Sequence, residues 1–271
     1  MSESFVLQRG EGPLLVSLPH AGSAIPEEAA QQMLPLALES ADTDWHVEQL
    51  YGFARELDAT VIQARYSRYL IDLNRAPDSR PLYPGANNTE LCPTSTFDEE
   101  PLYAAGQEPD AREVARRRSL YWQPYHDCLA KELARLRRRH GTVVLWEGHS
   151  IRRRVPRFFE GRLPDLNFGT AEGASAAPAL LQAVLARADR VGGFTQVANA
   201  RFKGGYITRN YGNPAEGVQA VQLELAQAAY MDEAPPFAYD ATLAAPMRAL
   251  LRALLEEVQD WLGTTHSMRQ G

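Results

Sequence analysis

The sequence predicts an α/β protein built on a mixed, mostly parallel sheet. Three observations lead there. Short uninterrupted apolar runs, such as Leu14–Leu18 and residues 142–146, have the length and composition of strands buried on both faces. Stretches with helical spacing alternate with them, the pattern of strands joined by crossover helices. Polar residues able to do chemistry close several of the runs: His20 after the first, Asn74-Arg75 after residues 69–73, His149 after residues 143–148. The carboxyl ends of parallel strands converge on one edge of a sheet, where sites are built.

Leu14–Leu18 is the first strand, and Pro19 and Gly22 mark the loop that leaves it. Residues 25–38 are weakly helical. Asp42 stands where it would cap a helix over 43–57, with Leu50, Phe53, Ala54 and Leu57 on one face. Thr60–Ala64 and residues 67–73 read as two further strands. From 76 to 110 proline, glycine, asparagine and threonine dominate. Excursions of that length often serve as lids or binding loops, and Tyr83, Leu91, Phe97, Leu102 and Tyr103 argue that this one is ordered. Residues 111–139 hold helical spacing through Val114, Tyr121, Tyr125, Leu129, Leu133 and Leu136, with a kink expected at Pro124 and Gly141 as a left-handed cap. Residues 142–146 form the next buried strand, 151–173 look irregular, and 178–188 are helical. Residues 197–198, 207–208 and 220–225 are strand candidates, and a last helix covers 243–262. With no repeat and no long linker, residues 1–271 read as a single α/β domain.

The chain has 271 residues, 45% hydrophobic and 23% charged, which is ordinary for a globular protein and ample for a core. A net charge of −6 argues against nucleic acid as a partner. The basic run Arg135, Arg137, Arg138 and Arg139 closes a predicted helix, where cations complement the dipole, so it reads as a solvated face. Cys92 and Cys128 form no C-x-x-C pair, and low cysteine use fits a reducing compartment. The start Met-Ser-Glu-Ser-Phe has neither a basic region nor an apolar run, so no signal peptide is expected. No apolar run nears the roughly 18 residues of a membrane span. A cytoplasmic protein with a small-molecule substrate and no membrane partner is the expectation, with a homo-oligomer left open.

His20 lies in Ser-Leu-Pro-His-Ala-Gly-Ser and His149 in Leu-Trp-Glu-Gly-His-Ser. Either alone is more often a loop or core histidine. Two at the ends of buried strands point to a shared metal, because catalytic zinc takes two or three nitrogen ligands with a carboxylate and keeps a position for water. Asp44 is the leading carboxylate, Asp42 the better cap, and His46 ranks below them; the plain alternative for both aspartates is to complement a helix dipole. On a strand over 67–73, Arg68 and Asp72 would share a face, which is costly unless they pair. A structural ion pair is the reading for Asp72, and substrate contact for Asn74 and Arg75, since arginine forks bind carboxylates. Arg209, inside a glycine-bracketed segment from Gly204 to Gly212, is either a second cation for the site or part of a plain hairpin. Glu224, in Gln-Leu-Glu-Leu, is either an ion-paired structural glutamate or a general base and then acid toward a metal-activated water.

As an ordered set, six motifs resemble the N-formylglutamate deformylase (N-formylglutamate amidohydrolase) family of histidine catabolism. They are Ser-Leu-Pro-His-Ala-Gly, Asp-Thr-Asp-Trp, Arg-Tyr-Ser-Arg-Tyr-Leu-Ile-Asp-Leu-Asn-Arg, Leu-Trp-Glu-Gly-His-Ser-Ile, Arg-Phe-Lys-Gly-Gly-Tyr-Ile-Thr-Arg and Ala-Val-Gln-Leu-Glu-Leu-Ala-Gln, across residues 16–231. The resemblance implies a zinc-exopeptidase-like (phosphorylase/hydrolase-like) three-layer fold and hydrolysis of N-formyl-L-glutamate to formate and L-glutamate. It implies one divalent metal ion, zinc expected, on His20, Asp44 and His149. It implies Glu224 as the catalytic residue and Arg68, Asn74, Arg75 and Arg209 around the substrate's anionic groups. One departure is Glu147, where the family often has aspartate; a longer arm behind His149 changes its geometry. Two other readings stand beside this one: an amidohydrolase for another N-acyl acidic amino acid, and a non-catalytic binder of an acidic metabolite. Glu224 speaks against the last, because a pure anion binder gains nothing from a carboxylate beside its ligand.

Overall fold

A computed structural model describes residues 4–80 and 88–270, with side chains to Thr264. Met1-Ser2-Glu3, Tyr83 and the Pro84-Gly85-Ala86-Asn87 stretch of the excursion lie outside the described residues. Seven strands, β1 (Phe5–Gln8), β2 (Leu14–Leu18), β3 (Thr60–Ala64), β4 (Val143–Ile151), β5 (Leu166–Gly169), β6 (Gln196–Ala198) and β7 (Val218–Ala226), form one sheet in the order β1-β3-β2-β4-β7-β5-β6. The central four, β3, β2, β4 and β7, are parallel; β1 and β5 run antiparallel to β3 and β7, and β6 is parallel to β5. Helices α1 (Glu27–Ala30), α2 (Val47–Leu50), α3 (Ala111–Arg117), α4 (Gln123–His140), α5 (Pro178–Val191), α6 (Tyr206–Tyr211) and α7 (Ala241–Gln270) complete the described fold. The sheet, covered on both faces, makes the predicted three-layer α/β arrangement.

Strand alternation and register place the site. One face of the sheet offers Leu14, Val16, Leu18, Val144, Trp146, Val221 and Leu223, which pack with Leu180 and Val184 of α5 and Met247, Leu250 and Leu254 of α7. The other face offers Leu15, Ile62, Val143, Leu145 and Ala220 to Tyr125, Leu129, Leu133 and Leu136 of α4. Register aligns Leu15 with Leu145, and Leu145 with Ala220. Because alternate residues share a face, the next row on this side is Ser17, Glu147 and Gln222, and the row after it pairs His149 with Glu224. The α4 face thus passes from core to polar floor within two residues, at the point where the Ser17 hydroxyl meets the Tyr125 hydroxyl at 2.8 Å. Between those rows Gly148 turns its hydrogen the other way. A Cβ there would stand 2.8 Å from Leu18 Cδ2 and 2.8 Å from Tyr51 Cε2, so no larger residue fits without repacking.

Several elements depart from the sequence reading. Residues 67–73 are turn, not strand: Arg68 Nη2 reaches Asp72 Oδ2 at 2.9 Å, and Leu70 N–H donates to Ser67 O at 2.9 Å. A strand would hold positions i and i+4 roughly 13 Å apart. Residues 207–208 lie in α6, not in a strand. The helix expected over 43–57 is broken into α2 and a 3₁₀ stretch Gly52–Leu57, with His46 in the left-handed region (φ 61°) ahead of α2. Asp42 caps nothing; its carboxylate accepts from Tyr69 Oη and Phe97 N–H, both at 2.7 Å. Residues 25–38 hold only α1 and a 3₁₀ stretch Pro35–Glu39. Strand β5 lies inside the segment read as irregular, and β1 was not expected. A π-turn, Arg118–Trp122, interrupts the long helix ahead of Pro124, which is the second residue of α4. Within the excursion, Leu91, Phe97, Leu102 and Tyr103 are buried. Among the described residues no helix is long and apolar enough to cross a membrane.

Candidate active site

The carboxyl end of β2 delivers His20, and β4 delivers His149 two residues past Glu147. The chain after His20 returns so that Asp44 N–H donates to His20 O at 3.0 Å, which sets the Asp44 carboxylate between the two rings. His149 Nδ1 lies 2.8 Å and His20 Nδ1 3.6 Å from Asp44 Oδ2. The opposite edge of each ring meets another carboxylate. His20 Nε2 lies 2.7 Å from Asp72 Oδ1, and His149 Nε2 lies 2.7 Å from Glu147 Oε1. His20, Asp44 and His149 each offer a ligand atom within 4.8 Å of the others, and all three are buried. His20 Nδ1 and Asp44 Oδ1 have no hydrogen-bond partner among the described residues. Buried polar atoms are rarely left so. Two imidazoles, each backed by a carboxylate and turned onto a third, fit a divalent cation with nitrogen and oxygen donors.

The charges are strongly coupled. Burial opposes charge on Asp44, but the flanking His20 and His149 outweigh it and hold the carboxyl well below the usual range. Burial disfavours protonation of His149, yet its bonds to Asp44 and Glu147 prevail and raise the ring well above its ordinary value. At Asp72 burial is likewise overcome, by His20, Arg75 and Arg68, and the carboxyl is lowered. Glu224 lacks such compensation. Burial dominates over the His149 charge, the Asp44 charge adds to it, and the Glu224 carboxyl is pushed up to about 8. A dication at the histidines would act on Glu224 in the opposite sense.

A partly open cleft lies over this floor. His20, His149 and Glu224 line it, with Arg68, Arg75, Arg201 and the apolar residues Phe97, Ile151, Phe158 and Phe202. Arg68 packs over the Phe97 ring at 4.9 Å while reaching Asp72, and lies 3.6 Å from Asp44. Arg75 is braced by Thr89, donating to its carbonyl at 3.2 Å and its hydroxyl at 2.9 Å. Asn74 lines the cavity, but both ends of its carboxamide are engaged by protein: Nδ2 donates to Glu147, and Oδ1 accepts from Ile207 N–H at 2.8 Å. Arg209 is not among the lining residues; it is exposed on α6 and donates from Nε to Gly204 O at 2.9 Å.

Of the three candidates for the carboxylate position, Asp44 is the one between the imidazoles. Asp42 is committed to Tyr69 and Phe97, and His46 Nε2 donates to Phe237 O at 2.7 Å. Asp72 pairs with Arg68 as the sequence indicated, and also backs His20, which spacing along the chain does not reveal. Sequence reasoning passed over Arg201, eight positions before Arg209, and Gln222, whose Oε1 accepts from Gly205 N–H at 2.7 Å. Strand parity with Glu224 was the available signal for Gln222.

An α/β sheet with a buried histidine–carboxylate cluster and a glutamate facing it across neighbouring strands is the frame of a hydrolase. The chain belongs to the N-formylglutamate amidohydrolase family, whose profile matches residues 12–231. It is 50% identical over 264 residues to the N-formylglutamate deformylase of Pseudomonas aeruginosa, covering 96% of this chain and 98% of that one. It is 47% identical over 264 residues to the N-formylglutamate deformylase of Pseudomonas putida, covering 96% and 97%. The crystal structure of N-formylglutamate amidohydrolase from Ralstonia eutropha JMP134 superposes with a TM-score of 0.83 at 25% identity, covering 96% of this chain and 99% of that one. The chain is therefore a hydrolase acting on an amide.

Proposed function

We propose that this protein hydrolyses N-formyl-L-glutamate to formate and L-glutamate, using one divalent ion, zinc by its donor set, held by His20 Nδ1, Asp44 and His149 Nδ1. The carrying observation is the pair of carboxylate-backed imidazoles turned onto Asp44, with two buried ligand atoms unpartnered. Bound there, the ion supplies a Lewis acid for the formyl carbonyl and makes an adjacent water more acidic. Asp72 and Glu147 hold the two rings in the tautomers that leave Nδ1 free. Glu224 takes a proton from the attacking water and returns it to the amide nitrogen as the carbon–nitrogen bond breaks. Arg68, beside Asp44, faces the oxygen that gathers negative charge. Arg75 and Arg201 bind the two carboxylates of the substrate. Asn74 acts on the substrate through the Glu147–His149 pair that it holds, and Arg209 anchors Gly204, next to Gly205 of the cleft wall. The continuous sheet supports one domain over residues 1–271, and Cys92 and Cys128, neither of them in a disulfide, suit a reducing, cytoplasmic setting.

The test is bound metal and formate release, measured before and after chelation. Metal near one equivalent with chelator-sensitive formate release supports the proposal. Metal with no formate release moves the substrate to another N-acyl acidic amino acid, which the apolar rim of the cavity favours as the second reading; acetyl- and formyl-glutamate compared side by side separate the two. Absence of both metal and turnover after zinc is restored overturns it.

A further inference from the structure

The segment carrying Asn74 raises a question of support. Residues 67–77 belong to no strand, yet Leu70 and Leu73 are buried and Arg75 is half-buried, and their carbonyls need donors. One helical rod supplies them from its side chains. Arg117 Nη1 donates to Leu70 O at 3.1 Å, Trp122 Nε1 to Arg75 O at 3.0 Å, and His126 Nε2 to Leu73 O at 2.8 Å. Two of these donors thus grip the carbonyls on either side of Asn74. Trp122 and His126 stack with ring centroids 3.7 Å apart, and Trp122 closes the π-turn. Such turns recur at functional sites.

The bond to a carbonyl fixes His126 as the Nε2–H tautomer, and its Nδ1 accepts from Tyr211 Oη at 2.9 Å. Tyr211 ends α6. The same short helix gives Ile207 N–H to Asn74 Oδ1, and its Thr208 hydroxyl donates to Glu147. The contacts close a ring. It runs from Tyr211 through His126 to Leu73, along the chain to Asn74, across to Ile207, and along α6 back to Tyr211. Only one orientation of the Asn74 carboxamide satisfies it, with Oδ1 on α6 and Nδ2 on Glu147.

We infer that His126 and Trp122 are positioning residues that set the Asn74 carboxamide and, through it, the Glu147–His149 pair; this rests on the reading of His149 as a metal ligand. The Ile207 amide reports on the ring directly, because its acceptor is Asn74 Oδ1. In His126→Phe the stacked ring stays and both hydrogen bonds go. In His126→Gln an amide nitrogen can still donate to Leu73 O. Hydrogen exchange resolved at Ile207 should show about tenfold less protection in His126→Phe, with the amides of β4 unchanged, and near wild-type protection in His126→Gln. Turnover should fall about tenfold in His126→Phe with KM changed less than about threefold. In an Asn74→Ala background, His126→Phe should cost less than about twofold more, because the two act as one unit. Unchanged protection at Ile207 overturns the inference. So does loss of protection throughout the molecule with Gln no better than Phe, or an additive loss with Asn74→Ala. If His126→Phe does not fold, Trp122→Phe is read by the same criteria. If the wild type releases no formate, the proposed function fails, and exchange at Ile207 still decides this inference.

Discussion

Asp44 is the residue on which the proposed chemistry turns, and what stands behind its two histidines sets how firmly they meet it. Glu147 has one oxygen on His149 and Asn74 and the other on Thr208. Its longer arm, the departure from the family pattern, is held by three partners. Glu147→Gln keeps the shape and weakens the acceptor, so zinc affinity, read by chelator competition, should drop about 10–100-fold. Glu224 plays a different part: its carboxylate faces the cavity and holds none of the three proposed ligands. Glu224→Gln should leave the metal content intact and lower turnover by about 10²–10⁴-fold. Unchanged turnover would remove it from the mechanism. Most of these residues could be picked out from the sequence, because a charged residue at the end of an apolar run is conspicuous. Their partners could not. Whether Asn74 touches substrate or Glu147 depends on which way one carboxamide faces, and that is settled by α6, more than 130 positions away.

At the scale of elements, α6 is where the strongest local test lies. Gly205 precedes it, and a Cβ at that position would stand 2.3 Å from Asn74 Nδ2. Gly205→Ala should therefore displace the carboxamide and reduce turnover by about tenfold or more, with a loss of stability no larger than the 1–3 kcal/mol of ordinary overpacking. Kinetics beside urea unfolding would show whether activity falls further than stability does. The element also shows why part of the fold could not be read. Ile207-Thr208 is a β-branched pair flanked by glycines, and in isolation that composition reads as strand; here burial against Asn74 and Glu147 decides otherwise. Residues 67–73 misled in the same way, since Arg68, Leu70 and Asp72 alternate with apolar neighbours. The turn is held by Arg68–Asp72 and by Asp72 N–H on Leu91 O at 2.7 Å, contacts that appear only once the excursion has folded back. The central strands were legible because burial on both faces leaves continuous apolar runs, and α4, α5 and α7 because their apolar residues keep helical spacing.

For the molecule as a whole, pH dependence follows from His126. Burial pushes its imidazole down to about 4, so the folded protein holds it neutral while the unfolded chain protonates it near 6.5. Between those values the unfolded state binds the extra proton. The contribution is therefore present above about pH 6.5 and is lost as pH falls through about 4, worth about 3 kcal/mol at most. Urea unfolding from pH 7 to pH 4 should show this loss, and His126→Gln, with nothing to titrate, should flatten that part of the profile.

Glu224 carries a consequence of the opposite kind. A carboxylate set into a wall of the sheet, with its ionised form disfavoured by burial, makes the fold less stable at the pH where the proposed mechanism needs it as a base. Stability and activity are then in direct competition at one atom pair. With metal removed, Glu224→Gln should melt at a higher temperature than the natural sequence at pH 8, while with metal restored it should release almost no formate. Selection for heat resistance alone, with no demand for turnover, would discard this glutamate early; on the proposed mechanism it is the point where the sheet serves the reaction at the expense of its own durability.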